Sequence, residues 1–307
     1  MTASRAVVVV SGGGAISPFT TPSMGCAKGL SAGSTDTGLR EALLARGFAV
    51  YTSPANLGQR PVEADTEFAG FADPPEVLPA ALTVNAAGDI DLAGQHLARF
   101  LAFLADREGL DTVDLVVHSM GGLFSRAAIR ELRRAESALH IGSLVTLGTP
   151  YLGAFPADVA LGTLDIDAAG DDQITRTIIT EFATMLDGVS EGAGAQVTRS
   201  YLGGPDGWNA RQGDQLDGIP LTMVAGNHCR LDDGDPQMWP HDGLVAVASA
   251  FAEGVSSAVL RPVARHLLDD VHSIFFAAQL GVPWQRALTW DPEVFDIVET
   301  ALRAAGN

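Results

Sequence analysis

An apolar run (Val113, Leu115, Val116, Val117) ends at His118-Ser119-Met120-Gly121-Gly122, and a helical pattern of Leu123, Ala127, Ile129 and Leu132 starts at once. A strand that turns this sharply into a helix constrains the fold around it. The tight turn lifts the serine hydroxyl out of the sheet, and the helix N-terminus offers backbone N–H groups to a developing oxyanion. This is the pattern of a nucleophile elbow. Strand and helix crowd together there, so small residues are needed two positions either side of the serine. Gly121 supplies one, whereas Val117 stands where Gly or Ala is usual. A serine in an ordinary strand-to-helix turn is the alternative reading of these five residues.

Short apolar runs alternate with helical stretches along most of the 307 residues, which predicts an α/β fold with a mainly parallel sheet covered on both faces. Strands are expected at 6–10, 48–51, 113–117, 141–147, 219–225 and near 258–264. Helices are expected at 39–46, 91–108, 120–134, 171–187, 244–252, 273–280 and 292–305. Residues 52–80 hold several prolines and little periodicity, so they are expected to be irregular. The stretch from Tyr151 to Gly218 has no convincing strand, two glycine-rich patches and one amphipathic helix. One domain over 1–307 with an excursion at about 151–218 is the simplest organisation.

A serine nucleophile needs a base, and the base needs an acid to orient it. In sheets of this type the chain order is serine, acid, histidine, with the acid in a loop after a late strand. Asp242, in Asp242-Gly243-Leu244-Val245, fits that position, and an N-cap role is compatible with it. Asp232, Asp233 and Asp235 in the same loop are the alternatives. A solvated acidic turn explains those three better than a Ca²⁺ site, so no metal is expected. For the base, His272 lies at a loop-to-helix junction and His266 continues the last apolar run. The loop position favours His272, with His266 as the alternative. His118 is expected to point away from the serine, because neighbouring strand residues face opposite sides. Oxyanion donors are expected from the N–H of Met120 and from Gly12, Gly13 and Gly14 after the first strand. A dinucleotide-binding reading of this glycine run fails, because position 17 is Ser17 and Pro18 and Pro22 break the loop.

Together, His118-Ser119-Met120-Gly121-Gly122, Leu147-Gly148-Thr149-Pro150-Tyr151-Leu152-Gly153 and Asp242-Gly243-Leu244-Val245 resemble the α/β-hydrolase-fold bacterial lipases and esterases. Ser11-Gly12 stands where family members commonly have His-Gly, and Tyr151 where they commonly have His. The resemblance implies a serine hydrolase acting on carboxylic esters, with acylglycerols as the expected substrate. A short-chain esterase or an acyltransferase is the alternative on the same fold, and a non-catalytic binding protein is the alternative from another class. It also implies a lid between the fourth central strand and the acid strand. Ile174, Ile178, Ile179, Phe182, Met185 and Leu186 form an apolar stripe on the helix expected there, which would cover an acyl pocket. An ordinary core-packed helix is the competing reading.

The net charge of −18 opposes binding to nucleic acid or to anionic membranes. No apolar run approaches the roughly 20 residues of a membrane span. No cofactor is called for, and the expected partner is a lipid or ester substrate, met in solution or at an oil–water interface. Val7–Val10 follows Met1 too closely to form a signal peptide, so a cytoplasmic protein or a processed secreted form is expected. Cys26 and Cys229, the two cysteines, are either free thiols or one bridge.

Overall fold

The computed structural model describes residues 4–24, 37–63, 76–186 and 192–306. Among these, six strands form one parallel sheet: β1 (Arg5–Val10), β2 (Val50–Thr52), β3 (Thr112–His118), β4 (His140–Leu147), β5 (Leu221–Gly226) and β6 (Pro262–Leu268). Their spatial order is β2-β1-β3-β4-β5-β6. Parallel neighbours need crossovers, and the helices that make them cover both faces. On one face lie α2 (Ile90–Glu108) and α3 (Gly121–Arg134), after α1 (Thr37–Ala45) in the chain. Val8, Val10, Leu115 and Val117 meet Leu97, Phe100, Leu123 and Phe124 there. On the other face, Val7, Val9, Val116 and Val145 meet Leu39 and Leu43 of α1, together with Val294 and Val298 of the C-terminal helix (Pro292–Ala305). The central strands are therefore apolar on both sides, and this is why they read as continuous runs in the sequence.

Val117 faces the α2–α3 core, which explains how a branched residue is accommodated before the serine. The crowding at the elbow falls on Gly121 instead. A Cβ there would lie 2.6 Å from the Val10 carbonyl oxygen and 2.7 Å from that of Ser11. At the opposite end of the strands, Asp114 is buried and ties three of them together. It accepts from Arg5 Nε at 2.5 Å and from the Ser143 hydroxyl at 2.7 Å.

Between β4 and β5 the described residues form helices and no strand: α4 (Phe155–Ala160), α5 (Gln173–Leu186), and short turns of helix at Ala193–Gln196, Arg199–Leu202 and Trp208–Gln212. Thr175, Ile178 and Ile179 of α5 are buried and Phe182 is half-buried, but Ile174 is 44% exposed. The buried face thus shares Ile178, Ile179 and Phe182 with the expected stripe, and Thr175 stands in it where Ile174 was expected. The side chains of Met185 and Leu186 lie outside the described residues, as do Cys26 and most of the first glycine patch. Tyr151, in the place of the family's usual histidine, is buried under the Arg126 guanidinium, which also lies over the Trp208 ring at 5.0 Å.

The last strand departs most from expectation. Residues 258–261 are turn and loop, and β6 runs on through His266 to Leu268. Among the described residues, no helix is long and apolar enough to cross a membrane.

Candidate active site

Ser119 stands between β3 and α3 with a φ of 53°. A non-glycine residue in this region carries about 1–3 kcal/mol of strain and persists only where its surroundings hold it. Three contacts do so. The Ser119 N–H donates to the Leu147 carbonyl, the Thr149 hydroxyl donates to the Ser119 carbonyl at 2.9 Å, and the absent side chain of Gly12 leaves room for the serine. A Cβ at Gly12 would lie 2.6 Å from Ser119 Cβ.

The loop after β6 brings His272 to this serine. His272 Nε2 is 2.9 Å from Ser119 Oγ, and its Nδ1 is 2.7 Å from Asp242 Oδ2. Asp242 follows β5, as expected from the sequence. Its Oδ1 accepts from the N–H groups of Leu244 at 3.0 Å and Val245 at 2.8 Å, so one carboxylate oxygen is fixed by backbone and the other faces the imidazole. The His272 N–H donates to the Asp242 carbonyl at 2.7 Å. All three residues are buried. His266 is a half-buried residue of the edge strand β6, paired in register with Val224.

Met120 is the N-cap of α3 and lies beside Gly13, where a Cβ would be 2.7 Å from the Met120 sulfur. Gly12 and Gly13 therefore border the nucleophile. Gly14 does not serve there, because its N–H donates to the Ala86 carbonyl. Asp233 and Asp235 lie outward in the acid loop, where Asp235 accepts from the Gln237 N–H.

Two histidines escape the sequence reading. His118 does not point away from the site. Its Nε2 is 2.8 Å from the His272 carbonyl oxygen, and the two rings are 4.7 Å apart. The rule of alternating faces fails here because Ser119, at positive φ, has already left strand geometry. His241, next to the acid, is buried between Phe155 and Trp239, with ring distances of 4.7 and 4.5 Å. Its Nδ1 accepts from the Gly243 N–H, so Nε2 carries the proton and donates to the Thr175 hydroxyl of α5 at 3.2 Å. Both imidazoles are held neutral chiefly by burial, which lowers His118 to about 3 and His241 to about 4.

Two further groups near the acid and base loops are set by burial. The Cys229 thiol is free, and burial followed by the charge of Asp242 pushes it up to about 12, so it is no competing nucleophile at neutral pH. Desolvation, and then the neighbouring Asp291, raises the Asp270 carboxyl to about 8, two residues before His272.

Residues 80–166 match the model of a family described as "Putative serine esterase (DUF676)". That segment contains Ser119 and the Thr149 turn. Among solved structures, the lipase of Staphylococcus hyicus superposes with a TM-score of 0.53 at 13% identity, over 98% of this chain and 96% of that one. A lipase of Bacillus licheniformis in its mature form gives 0.52 at 15% identity, over 98% and 93%. A comparison with curated proteins by sequence returns no match.

The chain has the α/β-hydrolase fold. The similarity of residues 80–166 to serine esterases supports a serine hydrolase acting on esters. The site of the α/β-hydrolase lies at the C-terminal ends of β3, β5 and β6, where loops leaving three strands converge.

Proposed function

We propose that this hydrolase cleaves carboxylic esters through Ser119 as nucleophile, His272 as base and Asp242 as orienting acid, and that its substrates are acylglycerols. The observation that carries the chemistry is the unbroken chain from Asp242 through His272 to Ser119, with links of 2.7 and 2.9 Å. Ser119 Oγ attacks the ester carbonyl as its proton passes to His272 Nε2. Asp242 holds the imidazole by Nδ1 and stabilises the imidazolium. The tetrahedral oxyanion is received by the N–H groups of Met120 and Gly13, with Gly12 alongside. The intermediate then collapses to an acyl-enzyme while His272 protonates the departing alcohol, and water repeats the cycle to release the acid. No cofactor enters these steps.

The acylglycerol reading rests on the insertion between β4 and β5. Ser119 is only 7% exposed, and α5 turns Ile178, Ile179 and Phe182 inward beside the acid loop. Ile179 packs with Phe155, Met238 and Trp239, and Glu181 accepts from the Gln279 amide at 3.0 Å. Opening such a helix into water exposes apolar surface, whereas an oil surface receives it. We assign α5 as a lid on that basis. An uncharged acylglycerol also suits a chain of net charge −18. The two solved structures above are of lipases, in keeping with the same reading.

Activity on emulsified long-chain acylglycerol should therefore exceed activity on the same ester below its solubility limit. Ile178 is too deeply buried to change without risk to the fold, so exposed Ile174 and half-buried Phe182 are the better probes. Losing roughly 60 Å² of apolar contact with the interface at about 25 cal/mol per Å² removes about 1.5 kcal/mol, or roughly tenfold in rate. The double substitution Ile174→Ser, Phe182→Ser should lower emulsion hydrolysis by about that factor and change the rate on a dissolved short-chain ester less than about twofold. Equal losses on both substrates would make α5 a permanent part of the core and the enzyme a short-chain esterase.

A further inference from the structure

The base of the proposed triad is held at its backbone as well as at its ring. The His272 N–H donates to the carbonyl of Asp242 at 2.7 Å, and the His272 carbonyl faces His118 Nε2 at 2.8 Å. A carbonyl oxygen can only accept, so Nε2 of His118 bears the proton and the ring is the Nε2–H tautomer. One peptide unit thus separates the nucleophile from the residue that grips the base. The strand end β3 delivers the Ser119 hydroxyl to one side of His272 and a hydrogen-bond donor to its main chain. The carrying loop is short, running from the end of β6 at Leu268 to Ile274 at the start of the next helix. Elsewhere it is fixed by backbone bonds between Val271 and both Arg286 and Leu288.

We propose that His118 is a positioning residue, which fixes the His272 imidazole between Ser119 and Asp242 by holding the carbonyl of His272. The proposal rests on the triad reading above. During the cycle the Ser119 Oγ leaves His272 to bond with the acyl carbon, so the base loses one of its two ring partners. Its backbone bonds then carry more of the burden of keeping Nε2 aimed at the leaving alcohol. Small errors in such an aim are costly, since a displacement of about 1 Å can lower a rate about 10²-fold. The same place also demands a neutral ring. His118 lies 4.7 Å from the ring that becomes an imidazolium, and a second cation there would oppose its formation. The charged or titratable groups acting on His118 are His272, which opposes its protonation, and Asp242, which favours it; burial outweighs both.

The test compares three variants with wild type. His118→Gln places an amide N–H near the lost Nε2 and keeps the donor. His118→Leu keeps volume without a donor, and His118→Asn keeps an amide too short to reach. The readouts are kcat and KM on a dissolved p-nitrophenyl ester, the pH dependence of kcat/KM, the rate of inactivation by an alkyl phosphonate that reacts with activated serines, and thermal unfolding. Leu and Asn should each lower kcat and the inactivation rate by about 10- to 100-fold with KM within about twofold, and should displace the acid limb of the pH profile. Gln should recover most of the loss, at a melting temperature similar to that of the other two. If Leu does not fold, the Asn–Gln comparison decides. The proposal is overturned if Gln loses as much as Leu and Asn, if losses follow melting temperature rather than the donor, or if all three match wild type. A wild-type protein that resists the phosphonate would instead sink the triad reading, and this proposal with it.

Discussion

Ser119→Ala should abolish ester hydrolysis while leaving the fold unchanged. Nucleophile, base and acid act as a unit, so loss of the first costs on the order of 10⁶ in kcat, with the residue of catalysis supplied by the oxyanion donors. The substitution should be structurally mild. Alanine at a φ of 53° is no more strained than serine, and the contacts holding the elbow are made by the main chain of residue 119 and by Gly12. Rates on p-nitrophenyl butyrate beside a thermal unfolding curve check both halves of the statement. Activity within about tenfold of wild type would show that another group performs the attack.

The second large effect separates two histidines that the sequence left in competition. His272→Ala should be nearly as damaging as Ser119→Ala, because it removes the proton acceptor 2.9 Å from the hydroxyl and leaves the buried Asp242 without its partner. His266→Ala should alter stability by about 1 kcal/mol or less and leave kcat within about twofold, since that side chain sits half-buried on an edge strand away from the serine. Steady-state kinetics on the two variants, with unfolding curves, make the comparison. Exchange of the two phenotypes would mean that the ring contacting Ser119 is not the base.

What could be read before the structure depends on how each element is buried. The long helices, such as Ile90–Glu108 and Pro292–Ala305, repeat their apolar residues over several turns and were placed to within a residue or so. The central strands were legible because both of their faces are covered. β6 was expected about four residues too early, since an edge strand obeys neither pattern: Val263 and Leu267 are 69% and 50% exposed, whereas Leu260 is buried in the preceding turn. The order of serine, acid and histidine along the chain brought forward the residues that the fold assembles. Contacts made through the main chain could not be foreseen. Gly14 is a donor candidate by its place after the first strand and its missing side chain, whereas its engagement with Ala86 depends on how two loops cross. The contacts of His118 and His241 are not legible in the sequence because their partners, the His272 carbonyl and Thr175, are 154 and 66 residues away.

The central claim is that Ser119 is an activated nucleophile held by His272. Its most direct test is treatment of the native protein with a fluorophosphonate, followed by mass spectrometry of the intact chain and of its peptides. The account predicts one adduct per chain, on the peptide containing Ser119, formed rapidly in the wild type and absent in Ser119→Ala. It also predicts an adduct slowed by orders of magnitude in His272→Ala. A folded wild-type protein that takes no adduct, or that carries it on a different residue, would contradict the account.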